Sequence, residues 1–163
     1  MSMAAQATTS PKVRNRAFAR AGLVMGVVLI LDQVTKRLII DGIHVGDSRS
    51  VFLGIHLVHV RNKGVAFGFF SGGGTLVLVF TLCALALLVG YFARRPGKQL
   101  LWLPTGLLIG GAIGNLIDRI ANGAVTDFIK LPAWPAFNVA DTAITFGVLS
   151  LLWVLEGRRR DEA

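Results

Sequence analysis

Four long apolar runs, each bounded by polar or basic residues, dominate the pattern of this chain. They cover about 18–40, 75–92, 100–120 and 139–155, and each approaches the roughly 20 residues of helix that cross a 30 Å hydrocarbon layer. The pattern predicts an integral membrane all-α protein with four transmembrane helices. Between the first two runs, over 41–74, the period changes. Val51, Leu53, Ile55 and Leu57, then Val58 and Val60, approximate the alternation of a half-buried strand. A small β-sheet is expected at about 43–70, with Gly64, Gly68 and Gly72 to Gly74 marking turns and a flexible approach to the second span. Residues 1–15 are polar and aperiodic and are expected to be disordered. Residues 16–157 then form a single membrane domain and 158–163 a tail.

Composition agrees with the pattern. Of 163 residues, 53% are hydrophobic and 16% charged, against about 25% charged in soluble domains. The net charge of +8 comes without a basic stripe interleaved with aromatics, so a nucleic-acid partner is not expected. The cations orient the spans instead. Ten of the 17 (Lys12, Arg14, Arg16, Arg20, Arg94, Arg95, Lys98, Arg158, Arg159, Arg160) flank the spans on one side, which the positive-inside rule makes cytoplasmic. Both termini are then cytoplasmic and the sheet is extracytoplasmic. Tyr91, Trp102 and Trp153 fall at inner span ends and Trp134 on the outer side, where interfacial aromatics belong. The first span begins like a signal peptide, but Asp32, Lys36 and Arg37 continue the helix, so it reads as a retained anchor.

With the spans oriented, the acidic residues acquire depths. Asp118 lies about 27 Å along the third helix at 1.5 Å per residue, at the outer boundary. Asp141 begins the inward fourth span and Asp127 lies between the two. Carboxylates held at a bilayer edge are costly and mark function by default. Asn115, Asp118 and Arg119 share a helix face at i, i+3 and i+4, and Asp118 with Arg119 fits an ion pair or an interfacial anchor. The small residues Gly110, Gly111 and Gly114 permit close helix approach. Asn138 and Asp141 straddle a helix start, where an N-cap and a first-turn acid explain them as well as chemistry does. Asp32, about 18 Å deep by the same helix rise, needs a partner inside the bundle, and Lys36 stands one turn away.

Other chemistries find little support. Cys83 lies mid-span without a histidine nearby, an inert setting for a thiol. His44, His56 and His59 crowd one connection, but the odd spacing of the last two on a strand directs them to opposite faces, against a shared metal. Ser71 and Ser150 lack a nucleophile context, and the glycine run at 72–74 has no following Lys and Ser/Thr. A proton-coupled transporter would place its acids at midplane and show repeats, and a scaffold would make no use of Asp127 and Asp141. Two neighbouring carboxylates cannot both ionise cheaply, so one keeps a proton while the other stays charged. That pair supplies a base for water and an acid for a leaving amine, the physics of aspartic proteolysis.

Five segments then resemble lipoprotein signal peptidase, the bacterial signal peptidase II: Asp32-Gln33-Val34-Thr35-Lys36, Asn62-Lys63-Gly64-Val65-Ala66-Phe67, Gly114-Asn115-Leu116-Ile117-Asp118-Arg119, Val125-Thr126-Asp127-Phe128 and Phe137-Asn138-Val139-Ala140-Asp141. They occur in order over about 20–155. The resemblance implies a bacterial inner-membrane aspartic protease, active on the extracytoplasmic face, sensitive to globomycin and needing no metal or other cofactor. Its partners would be diacylglyceryl-modified prolipoproteins and membrane lipids, met as a monomer, with cleavage before the lipidated cysteine. Asp127 and Asp141 match the catalytic pair. Asp32, Lys36, Asn62, Asn115, Asp118, Arg119 and Asn138 match polar positions that shape the site or bind substrate. Val65 and Thr126 stand where the family pattern commonly has Ala and Val.

Overall fold

The computed structural model describes residues 10–63, 73–98 and 100–161. The expected disorder of 1–9, Val65, Ser71, Gly64, Gly68, Gly72 and the far end of the expected β region lie outside them. Along the chain run α1 (Pro11–Gly42), β1 (Ser48–Phe52), β2 (Ile55–Asn62), α2 (Gly73–Arg94), α3 (Trp102–Asn122), β3 (Val125–Lys130) and α4 (Val139–Asp161). All four apolar runs are helical, as their pattern predicts.

Two ends are longer than expected. α1 starts at Pro11, so 11–15 are ordered: Pro11 occupies the first turn, where its fixed φ suits a helix and its missing N–H costs nothing. α4 continues to Asp161 instead of ending near 155–157, because the polar tail is built of good helix formers such as Glu and Arg.

α1 packs on α3 and α3 on α4, while α2 lies mainly against α3. Small residues on α3 set these distances. A Cβ at Gly110 would stand 2.9 Å from that of Val28 on α1, and one at Gly111 would stand 2.5 Å from the Ala140 carbonyl oxygen on α4. At one end of the bundle, Ala17, Ala21, Phe92 and Leu101 cluster with Tyr91, Trp102, Leu151 and Val154. The basic helix ends meet there: Arg20 lies over the Trp102 ring at 5.7 Å and Arg95 over Tyr91 at 5.5 Å. At the other end Ile39, Ile43 and Phe128 join α1 to the sheet.

The sheet has antiparallel order β1-β2-β3. Its third strand carries Asp127 and arises from what the sequence offered only as a short link between helices. Nor is the apolar alternation of 51–60 one strand. Leu53 (φ 41) and Gly54 (φ 80) turn the chain between β1 and β2, as a hairpin requires of its two central residues. Gly123 (φ 68) ends α3, donating to the Arg119 carbonyl at 3.0 Å, and swings the chain directly into β3.

Polarity is distributed inside out. Among the described residues, Asp32, Lys36, Asn115, Asp118, Asp127 and Asn138 are buried, while Leu23, Ile30, Leu38, Leu87, Ile120 and Phe146 are exposed on the helices. Cys83 also points outward. Counted by apolar length alone, one described stretch qualifies as a span, Val139–Glu156, with a shorter one at Leu82–Arg94. Asp32, Lys36 and Arg37 interrupt the apolar run of α1 along the sequence, and polar and small residues dilute that of α3.

Candidate active site

Each of the nine site residues expected from the sequence enters one connected hydrogen-bond network at the sheet end of the bundle. Asp127 enters from β3, buried and gripped on both oxygens. Asn62 Nδ2, from β2, donates to Oδ2 at 2.9 Å, and Asn138 Nδ2 donates to Oδ1 at 2.7 Å. Antiparallel pairing places Asn62 opposite Val125 and Val60 opposite Asp127, so the amide reaches diagonally across the ladder.

Asn138 and Asp141 cap α4 reciprocally. The Asp141 N–H donates to Asn138 Oδ1 at 2.9 Å, and the Asn138 N–H donates to Asp141 Oδ2 at 3.2 Å, the geometry of a capping box. The cap expected at this helix start is present. Capping holds Asn138 so that its Nδ2 faces Asp127, and holds Asp141 beside it.

Behind this pair lies a buried ionic cluster. Lys36 Nζ stands 2.8 Å from Asp32 Oδ2, 3.0 Å from Asp118 Oδ2 and 3.0 Å from Asn115 Oδ1. Buried charges persist only when paired and hydrogen-bonded, and here every oxygen of both acids is used. Asp32 Oδ1 accepts the Ala140 N–H at 2.9 Å, Asp118 Oδ2 accepts the Thr126 N–H at 3.1 Å, and Gln33 Nε2 donates to both acids. The cluster thus ties α1, α3, β3 and α4 together directly beneath Asp127 and Asp141. Gly114 leaves the necessary space, since a Cβ there would lie 2.6 Å from Asp32 Oδ2.

Asn115 links the two layers. Its Oδ1 accepts from Lys36 and from Asn138 Nδ2 at 3.1 Å, leaving Nδ2 to donate to Asp141 Oδ1 at 2.8 Å. Donors on one side and a carboxylate on the other fix the orientation of the amide. Asp118 does not pair with its neighbour Arg119 as expected. Adjacent residues on a helix do not face each other, and Asp118 turns inward to Lys36 while Arg119 Nη1 donates to the Asn115 carbonyl at 3.3 Å. The buried Nε of Arg119 has no partner among the described residues.

Asp127 is raised from 3.8 to about 6. Burial is the main cause and the nearby Asp141 adds to it, while the amides of Asn62 and Asn138 and the charge of Lys36 pull the other way. Asp141 is half-buried and lines a cavity of about 340 Å³ with Leu131, Trp134, Phe137, Thr142, Thr145 and Phe146. Backbone bonds between Phe137 and Phe128 and Ile129 fold the 131–137 loop back along β3 and shape this cavity.

Three contributors escaped the sequence reading. Gln33 was visible only as part of the Asp32–Lys36 segment, and the backbone donors of Thr126 and Ala140 leave no side-chain signal. The histidines lie apart: His59 is buried with Nδ1 on the Ile43 carbonyl at 2.7 Å, and His56 faces Ser48 at 3.4 Å. Among the described residues no group of metal-ligating side chains forms.

Comparison with known proteins places this geometry in context. Residues 24–156 match the family model described as signal peptidase (SPase) II. The lipoprotein signal peptidase of Halothermothrix orenii is 38% identical over 134 residues, 82% of this chain and 92% of the relative. That of Rhodopseudomonas palustris is 42% identical over 149 residues, 82% and 90% of the two chains. A solved structure of a bacterial membrane enzyme superposes with a TM-score of 0.81 at 32% identity, covering 89% of this chain and 92% of the other.

Proposed function

The chain belongs to the signal peptidase II family of proteases, which cleave signal peptides from prolipoproteins, and on that premise we propose that Asp127 and Asp141 are its catalytic pair. The observation that carries this is their unequal setting within one network: Asp127 buried and raised to about 6, Asp141 open to the cavity. Asp127 then holds the shared proton and Asp141 acts as the base. Asp141 takes a proton from water as the water attacks the scissile carbonyl, and Asp127 gives its proton to the carbonyl oxygen. On collapse of the tetrahedral intermediate Asp141 protonates the departing nitrogen, and Asp127 recovers its proton from the hydroxyl.

Asn115 and Asn138 each commit an amide N–H to one of the two carboxylates, so they serve as positioning residues. Arg119, with Nε unspent among the described residues, is the better donor to a developing oxyanion. Asp32, Lys36 and Asp118 fix the height of Asn115 and of the start of α4.

All four helices cross the bacterial inner membrane with the sheet and site outside and both termini in the cytoplasm. Supporting this are the apolar outward faces of the helices and the gathering of basic helix ends opposite the sheet. The substrate is a diacylglyceryl-modified prolipoprotein, cut before its lipidated cysteine. Its signal helix docks in lipid, so most binding energy comes from contacts remote from the reacting bond. One chain suffices as a monomer, since it supplies every member of the network.

Purified protein in vesicles, given a prolipoprotein with and without its diacylglyceryl group, tests the reading by product mass. Cleavage before the cysteine, confined to the lipidated form, blocked by globomycin and unchanged by a chelator, is expected. Equal cleavage of both forms, or loss with chelator, contradicts it.

A further inference from the structure

Two turns at the sheet end are built against their local chemistry. The hairpin turn holds Leu53 at φ 41, a position where Asn or Gly is favoured, yet this leucine is 83% exposed and Phe52 beside it 65%. The 131–137 loop repeats the arrangement, with Ala133 at φ 56 followed by Trp134, 62% exposed. The turns are neighbours: a Cβ at Gly54 would meet Pro132 Cγ at 3.2 Å. Exposed Val51, Phe52 and Leu53 thus adjoin Pro132, and Trp134, which also lines the cavity beside Asp141, follows on the same loop, a concentration of outward apolar surface of the kind that marks an interaction site.

The surroundings identify what covers it. The outward apolar face of α1, with Leu38 and Ile40, continues past the helix end to Val45, also exposed. Exposed Arg49 and Lys63 flank the sheet, and of the described acids in its strands and turns only Asp47 is exposed. An apolar tip carrying tryptophan and edged by cations fits the interfacial layer of an anionic bilayer.

We propose that the 52–54 and 132–134 turns form a wedge seated in the outer leaflet of the membrane, holding the sheet, and Asp127 with it, at fixed height above the lipid. This rests on the topology proposed above. It gives the sheet a second anchor, independent of its joint with α1.

A fluorescent bimane at position 53 tests the wedge. Leu53→Cys and the control Asp47→Cys, each in a Cys83→Ala background, are labelled and placed in vesicles of phosphatidylethanolamine and phosphatidylglycerol. Some of the lipid is brominated near the top of its acyl chains. Insertion to interfacial depth predicts blue-shifted emission at 53, loss of about half its intensity or more to brominated lipid, and little loss to aqueous iodide. Position 47 should show the reverse. Quenching at 53 by iodide as strong as at 47 overturns the proposal. So does shielding of 53 that appears only after prolipoprotein is added, which would make the lipid of the substrate the occupant. Cleavage assayed on the same vesicles separates the claims: active protein with an aqueous position 53 refutes the wedge alone, and inactive protein with a shielded one refutes the catalytic reading alone.

Discussion

Asp127 is pulled in opposite directions by burial, which favours its proton, and by the Asn62 and Asn138 amides, which favour its charge. Burial prevails, so the acid form survives to about pH 6, and kcat/KM should decline as the pH rises through that value, because the acid is then lost. Removing Asn62 removes a bond to the charged form, so the value must rise further. Asn62→Leu is therefore expected to move the alkaline limb of the kcat/KM profile to higher pH, and a limb unmoved or moved down would contradict the assignment of the proton to Asp127. At this scale the sequence was unusually legible. Polar residues in apolar runs are costly enough that each had to be explained, and the nine singled out share one network. Partners were less legible than members. Nothing in the chain said that Asp118 would choose Lys36, 82 positions away in sequence, over the adjacent Arg119, because that choice depends on how α1 meets α3.

The helices announced themselves through long apolar runs, whereas β3 did not. Its six residues carry no alternation strong enough to read, and its existence follows from Gly123 ending α3 and from pairing with β2. The hairpin was likewise hidden, since Leu53 is a poor turn residue and extends the apparent alternation across the turn. Such a residue in the left-handed region costs roughly 1–2 kcal/mol, which is why local rules failed there. At the head of α4 a single residue, Asn138, caps the helix and bonds Asp127, and the two roles can be separated. Asn138→Ser keeps a good N-cap without adding a charge, but its short hydroxyl does not replace the amide donor to Asp127 Oδ1. Thermal stability in detergent should stay close to the parent while kcat falls roughly 10²–10³-fold, the scale of losing one preorganised donor. A parallel fall in both would mean that the cap alone matters.

For the whole molecule, the distribution of charge and apolar surface supports the proposed orientation. Asp47→Cys should react with a membrane-impermeant maleimide from outside intact cells stripped of their outer membrane, and Gly97→Cys, in the loop between α2 and α3, should not, both without Cys83. Labelling of position 97 alone would invert the topology and put the site on the wrong side for an exported substrate. Everything in the bundle, from the Lys36 cluster to the capping of α4, converges on two carboxylates of unequal exposure. Their necessity is tested most directly by turnover of a lipidated prolipoprotein with Asp127→Asn and Asp141→Asn, compared with Asp41→Asn, whose exposed pair with Arg37 contributes little. Losses of roughly 10²–10⁴-fold in each dyad variant, with Asp41→Asn unchanged, are the predicted result. Near-parental turnover by either dyad variant would contradict the account.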